Sequence, residues 1–350
     1  MLDVVVKNTE RFLLSVPKTK RKKYGQFFTN MSTAKFMASL FCFDRSKPCL
    51  EILDAGAGTG ILATAVIQKL IDDGYKGRIH VTCYETDDFV MPVLEENMRL
   101  STVLPNVTCS IKTDNYITSQ NFSDYTLFGG EDSHYDYIIG NPPYLKTSKD
   151  AIEALAMPEV CYGAPNLYFL FWAMGIHNLK EGQELVYIIP RSWTSGAYFK
   201  RFREYLFREC VLTDIHVFEK RDKVFDGESV LQETMIVKVK KTRVVPSAIN
   251  ITTSSTSDFK DISSFSAPYE TVVTKNHCVC VVTNSDDVNV LHTINHFSKT
   301  LPEINLKMQT GIIVDFRTRE VLRNELEEGA YPLLYAQHIR EGKIVWPLGK

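Results

Sequence analysis

Up to about residue 245 the chain alternates short apolar runs with longer amphipathic stretches. Five runs read as strands: CLEILDA (49–55), HVTCYE (80–85), YDYIIG (135–140), ELVYIIP (184–190) and ETMIVKVK (233–240). Between several of them lie segments such as ILATAVIQKLI (61–71), with apolar residues spaced for a helix that buries one face. Strands and helices in alternation predict an α/β domain whose mainly parallel sheet is covered by helices on both sides. The run at 233–240 follows a long irregular link, which leaves it free to run antiparallel at one side. Residues 246–268, PSAINITTSSTSDFKDISSFSAP, are rich in Ser and Thr and read as a linker. Beyond them the alternation stops. The organisation expected is therefore a large domain over 1–245, with 1–24 as an N-terminal extension, a linker over 246–268, and a second, smaller region over 269–350.

Composition narrows the classes. No apolar run approaches the roughly 18 residues that would suggest a membrane span. The N-terminus, with charges inside its apolar stretch, does not read as a secretory signal. The eight cysteines include no CxxC pair, so neither a disulfide framework nor a zinc site is expected, and no metal is called for. Reduced thiols fit a cytoplasmic protein. The net charge of −2 does not announce a nucleic-acid binder. Two local basic runs, Lys18 to Lys23 and Lys238 to Arg243, are either solvated charge clusters or phosphate contacts.

Candidate chemistry starts at Asp54-Ala55-Gly56-Ala57-Gly58-Thr59-Gly60, directly after the first strand and before a helix. Small residues let the backbone turn tightly and let a ligand approach it, and the helix N-terminus behind offers unpaired N–H groups. Asp54 could hold the ammonium of a bound amino acid, directly or through water, while the loop amides take its carboxylate. A plain tight turn is the alternative. Glu85 ends the second strand, where an acid can accept both hydroxyls of a ribose. Asp114, after another short apolar run, is a candidate acceptor for an adenine amine. Each of these acids could instead be an ordinary strand-end or turn carboxylate.

The strand YDYIIG delivers Asn141-Pro142-Pro143-Tyr144 to its C-terminal end, where ligands bind in open α/β sheets. Two prolines remove two backbone donors, so the loop presents carbonyl acceptors beside the Asn141 amide oxygen. That suits an exocyclic amine, a poor nucleophile because its lone pair is conjugated into the ring. Held by the Asn141 oxygen and the Pro142 carbonyl, its nitrogen bends toward tetrahedral geometry and the lone pair is freed for attack on a methyl group. Positioning and electrostatics carry such a reaction without a strong base. Tyr144 is placed to stack on an extruded base.

Together these motifs resemble the gamma-class N6-adenine DNA methyltransferases of restriction-modification systems. GQFFT (25–29) comes first, then DAGAGTG, Glu85, Asp114 and NPPY, and this order marks the gamma arrangement. The resemblance covers most of residues 20–245. It implies a Rossmann-like S-adenosylmethionine-dependent fold with a mainly parallel seven-stranded sheet and S-adenosylmethionine as cofactor. It also implies Thr29 as a contact to the methionine part, and double-stranded DNA with a specific target site as partner, in a bacterial or archaeal cytoplasm. In KVFDGESVLQETMIVKVKK (223–241) it implies that Phe225, or failing that Phe218, stacks on the second face of the extruded base. Residues 269–350 look like the start of a target-recognition region. A truncated or split polypeptide, or an unusually compact recognition region, is the expectation there, with a cognate endonuclease as a further partner.

Three rivals share part of the pattern. A release-factor glutamine methyltransferase has the same NPPY logic, but normally a helical domain ahead of the glycine loop and no GQFFT. A ribosomal RNA base methyltransferase is the second. The third, a catalytically silent DNA-binding module, would need neither DAGAGTG nor NPPY intact.

Overall fold

The computed structural model describes residues 1–16, 28–122, 134–219, 233–308, 315–325 and 327–348. They form two compact units, Met1–Ile294 and Asn295–Lys350.

In the first unit, helices α1 (Leu2–Ser15) and α2 (Met31–Ser39) precede β1 (Cys49–Ala55), α3 (Ile61–Asp72), β2 (Arg78–Tyr84), α4 (Met91–Ser101) and β3 (Val107–Lys112). Then follow β4 (Tyr135–Gly140), α5 (Ile152–Ala156), α6 (Leu167–Asn178), β5 (Leu179–Pro190), α7 (Lys200–Glu209), β6 (Val211–Phe218) and β7 (Thr234–Lys240). The strands β8 (Ala248–Ser254) and β9 (Ser263–Pro268) complete one nine-stranded sheet, ordered β3-β2-β1-β4-β5-β7-β6-β8-β9. From β3 to β5 every pair is parallel. β7 runs antiparallel to both neighbours.

This order decides where a ligand binds. From β1 the chain winds outward to β2 and β3, then crosses back to β4 on the other side of β1. The crevice beyond the C-terminal ends of β1 and β4 is a topological switch point, the ligand position of open α/β sheets. Helix α3 fills the floor behind it, buried on nearly every side from Ile61 to Ile67. On the other face, α6 lies so close to β5 that a Cβ on Gly175 would stand 2.9 Å from Leu185 Cδ1. Trp172 of that helix packs edge-on against Trp193, ring centres 4.9 Å apart.

The sheet corrects two expectations. Residues 246–268 are not a linker: they supply β8 and β9, which extend the expected seven strands to nine. Ile249 and Ile251 are fully buried, and the polar residues beyond them are buried too because they pair with a neighbour. His216 on β6 meets Thr252 Oγ1 at 2.9 Å and Ser254 Oγ at 3.1 Å. Burial among the rings of Phe36, Phe218 and Phe259 lowers the pKa of His216 to about 3 and keeps the imidazole neutral. The Ser/Thr content that resembles a linker is therefore the composition of a β-branched strand with a polar partner. The first unit accordingly extends past 245 and 268 to Ile294.

In the basic run around residue 240, two of the four cations, Lys238 and Lys241, serve the fold rather than a phosphate surface. The Lys238 ammonium is buried between Asp214 at 2.9 Å and Glu184 at 3.8 Å. Lys241 Nζ donates to the carbonyls of Ile176, His177 and Leu179 and so closes the C-terminus of α6. The run at Lys18–Lys23 lies outside the described residues.

The second unit consists of short 3-10 turns and a two-stranded hairpin, β10 (Ile339–Arg340) with β11 (Lys343–Ile344). Among the described residues no helix is long and apolar enough to cross a membrane, and no cluster of His, Cys, Asp or Glu could hold a metal ion.

Candidate active site

The glycine loop leaves β1 with its backbone in the left-handed region at Gly56, Gly58 and Gly60, where φ is 72°, 55° and 78°. L-residues avoid that region, which accounts for the three glycines. The amides of Gly56 and Ala57 both donate to Tyr84 O at 2.9 Å, so the loop is tied to the end of β2. The three glycines do different work. Gly56 and Gly58 line a cavity of about 400 Å³ at the switch point. Gly60 faces the protein instead: a Cβ there would stand 2.6 Å from Met98 Cε and 2.9 Å from Leu94 Cδ1, so it lets α3 approach α4.

Asp54 and Ala55 are fully buried at the end of β1, behind the cavity wall. Asp54 Oδ2 accepts from Ala63 N at 3.0 Å and ties β1 to the first turn of α3. Its Oδ1 has no hydrogen-bond partner among the described residues. Burial raises its carboxyl pKa to about 7. Glu85 lines the cavity and accepts three backbone amides: Gly58 N on Oε2 at 2.9 Å, and Thr86 N and Asp87 N on Oε1 at 2.8 and 2.9 Å. Desolvation still raises its pKa above the usual carboxylate value, so burial outweighs the three donors. Asp114 lines the same cavity.

Asn141 and Pro143 enter from the end of β4 and line it as well. Asn141 Nδ2 donates to the Thr29 hydroxyl at 3.1 Å, and Thr29 is itself a wall residue. The expected methionine contact and the expected catalytic amide are thus hydrogen-bonded neighbours, though 112 residues apart in sequence. Pro142 is buried beside them. Tyr144 is only 8% exposed and does not line the cavity; its hydroxyl donates to Ile188 O at 3.0 Å and its ring stands edge-on to Tyr168. Phe225 lies outside the described residues. Its fallback, Phe218, is buried against His216 and Phe259, away from the cavity.

Several wall residues escaped the sequence reading. Phe28 sits below Gly58, with its ring 3.5 Å from the position of a Cβ there. Phe171 of α6 approaches Gly56 and Pro143 from the opposite side. Asp87, two residues after Glu85, was within reach of the strand-end argument. Glu153 on α5 was not: it reaches the cavity by accepting from Asn115 Nδ2 at 2.9 Å, and nothing in its local sequence marks it.

A mainly parallel sheet, with β7 reversed and a cavity at its switch point, is a Rossmann-like fold. A crystal structure of a class I S-adenosylmethionine-dependent methyltransferase from Listeria monocytogenes superposes with a TM-score of 0.51 at 18% identity, covering 67% of each chain. Residues 60–225 match the Eco57I restriction-modification methylase family. The chain is similar to the Type II methyltransferase M.PstI of Providencia stuartii, at 32% identity over 96% of this chain and 67% of that one. It is similar to the Type II methyltransferase M.BsuBI of Bacillus subtilis at 31% identity, over 98% of this chain and 69% of the relative. The chain belongs to this family of restriction-modification methylases, and its cofactor is S-adenosylmethionine. The residues present fit that molecule. Two left-handed glycines open the backbone toward the cavity, and carboxylates stand at Glu85 and Asp114. A buried carboxylate oxygen of Asp54 lacks a partner among the described residues behind the loop.

Proposed function

We propose that the chain methylates the N6 amine of adenine at a specific site in double-stranded DNA, as the modification activity of a restriction-modification system. The observation that carries this reading is that Asn141 shares one cavity with Gly56, Gly58 and Glu85.

Bound S-adenosylmethionine supplies a methyl group activated by a sulfonium. Glu85 accepts the ribose hydroxyls and Asp114 the cofactor's adenine amine. The loop amides take the methionine carboxylate, and Asp54 meets its ammonium through water. Asn141 Oδ1 and the Pro142 carbonyl accept the two hydrogens of the target amine and hold its lone pair toward the donor. Thr29 supports this assignment, because its hydroxyl accepts from Asn141 Nδ2 and so occupies the donor side of the amide, leaving the oxygen as its acceptor side. Phe225 is the proposed aromatic wall for the extruded base, recovering part of an unstacking cost of a few kcal/mol. The Tyr144 ring, expected from the sequence to be the other wall, is packed edge-on against Tyr168 outside the cavity lining and is not given that role. Residues 295–350 are proposed to contribute to target recognition, and a cognate endonuclease to be the functional counterpart.

Supplying methyl-labelled S-adenosylmethionine with DNA, RNA and release factor in parallel tests the reading. Label in DNA recovered as N6-methyladenine is expected. N4-methylcytosine, or label confined to RNA or protein, would contradict it.

A further inference from the structure

Beside the mouth of the cavity lies a surface that the chemistry above does not use. Leu145 and Leu167 both line the cavity and are joined by a 2.8 Å bond from Leu167 N to Leu145 O. One residue further out, Lys146 and Asn166 form an antiparallel bridge, and Thr147 N donates to Pro165 O at 2.8 Å. Lys146 is therefore fixed one residue from the cavity wall and two from Tyr144. Its ammonium lies over the ring of Tyr198, 5.9 Å from the centroid. The Tyr198 ring stands 6.4 Å from that of Tyr162. It also rests on Gly163, where φ is 72° and a Cβ would come 3.5 Å from the ring. Both tyrosines are exposed, Tyr162 at 57% and Tyr198 at 60%.

The support beneath them is built. Arg201 on α7 donates to Cys161 O at 3.0 Å and to Pro158 O at 3.5 Å, which fastens the Tyr162 loop to the helix that follows Tyr198. Single exposed apolar residues are ordinary, but two adjacent rings with a lysine over one of them are a recognisable surface. Its chemistry favours a nucleic-acid strand over an apolar partner. Aromatic faces stack on any base, and ammonium groups offset phosphates. Within the same stretch Glu159 is paired with Arg208, and Lys146 is the cation placed on the ring pair itself, while the Glu153 carboxylate is turned to Asn115 at the cavity.

We propose that Tyr162, Tyr198 and Lys146 form a docking surface for the DNA strand flanking the extruded base. This rests on the DNA-adenine reading above. Extrusion unstacks the neighbouring nucleotides at the point where this surface adjoins the catalytic loop. Rings and an ammonium held there receive the displaced strand and favour the extruded state.

The test compares wild type with Y162A/Y198A, Y162F/Y198F and K146A. It uses a duplex carrying the site methylated by the wild type, in the presence of S-adenosylhomocysteine. Y162A/Y198A should lose at least about tenfold in DNA affinity, and Y162F/Y198F, which keeps the ring faces, should retain it. K146A should reduce the slope of log affinity against log salt by about 0.9, the value for one phosphate contact. S-adenosylhomocysteine affinity and thermal stability should stay at wild-type values in all three. DNA affinity and salt slope unchanged in the alanine variants would overturn the surface while the methylation reading stands. So would a loss of self-association on sedimentation with DNA affinity intact, which would assign the patch to a second copy of the chain. A wild type that methylates no DNA would remove the underlying reading and this proposal with it.

Discussion

Asn141 is the residue on which the site turns, and its amide donates to a neighbour that local sequence cannot reveal. The family resemblance implies Thr29 as a cofactor contact; in the structure its hydroxyl accepts from Asn141 Nδ2. Losing a hydrogen bond worth ~1 kcal/mol should lower methyl transfer by about fivefold in Thr29→Ala. Thr29→Ser should restore it, because the hydroxyl is kept. Measuring kcat alongside S-adenosylhomocysteine affinity separates the two roles: a Thr29→Ala variant that changes only cofactor affinity would return Thr29 to the methionine contact alone. Asp54 gives a second prediction. Its folded pKa of about 7 lies above the ordinary 3.8. The folded state thus binds more protons than the unfolded state between those values, and this group's contribution to stability falls as pH rises through that window. Asp54→Asn keeps an acceptor for Ala63 N and removes the titration, so urea unfolding at pH 5 and pH 8 should show a weaker decline than in wild type. An unchanged slope would mean that Asp54 does not titrate there.

At the scale of elements, the sequence made legible whatever is encoded within a few consecutive residues. The five apolar runs became β1, β2, β4, β5 and β7, the last antiparallel. NPPY and DAGAGTG could be read because their chemistry needs adjacent residues. β6 and β8 were not legible, because their buried polar residues, His216 on one and Thr252 and Ser254 on the other, are satisfied across the sheet rather than by sequence neighbours. Glu153 and Phe171 reach the cavity through packing at long sequence range, which leaves no local pattern. Gly60 shows the opposite case, a residue in the ligand motif that serves helix packing. Gly60→Ala should destabilise the fold by roughly 1–3 kcal/mol through overpacking against Leu94 and Met98, in addition to backbone strain. Gly74→Ala, with a similar φ of 76° and nothing within 4 Å of its Cβ, isolates the strain alone. Equal losses in the two variants, read from urea unfolding, would contradict the packing role.

For the molecule as a whole, every residue lining the cavity belongs to the Met1–Ile294 unit. Removing residues 295–350 should therefore leave S-adenosylhomocysteine affinity unchanged. On the proposed division of labour it should lower DNA affinity, since specific DNA interfaces bury on the order of 1,000–2,500 Å² of protein surface. Calorimetry and DNA titration of the same preparation check both statements, and a parallel loss of cofactor binding would show the units to be interdependent. One cavity is proposed to bring the methyl donor to an adenine amine held by Asn141. Nucleoside analysis of DNA after reaction with S-adenosylmethionine, comparing wild type with Asn141→Ala, tests it most directly. Wild type should yield N6-methyladenine, and Asn141→Ala should yield it at a rate lower by ~100-fold or more, with cofactor affinity intact, by analogy with removing one preorganised hydrogen-bonding group from an active site. Near-normal N6-methyladenine from Asn141→Ala, or a different methylated base from the wild type, would contradict the account.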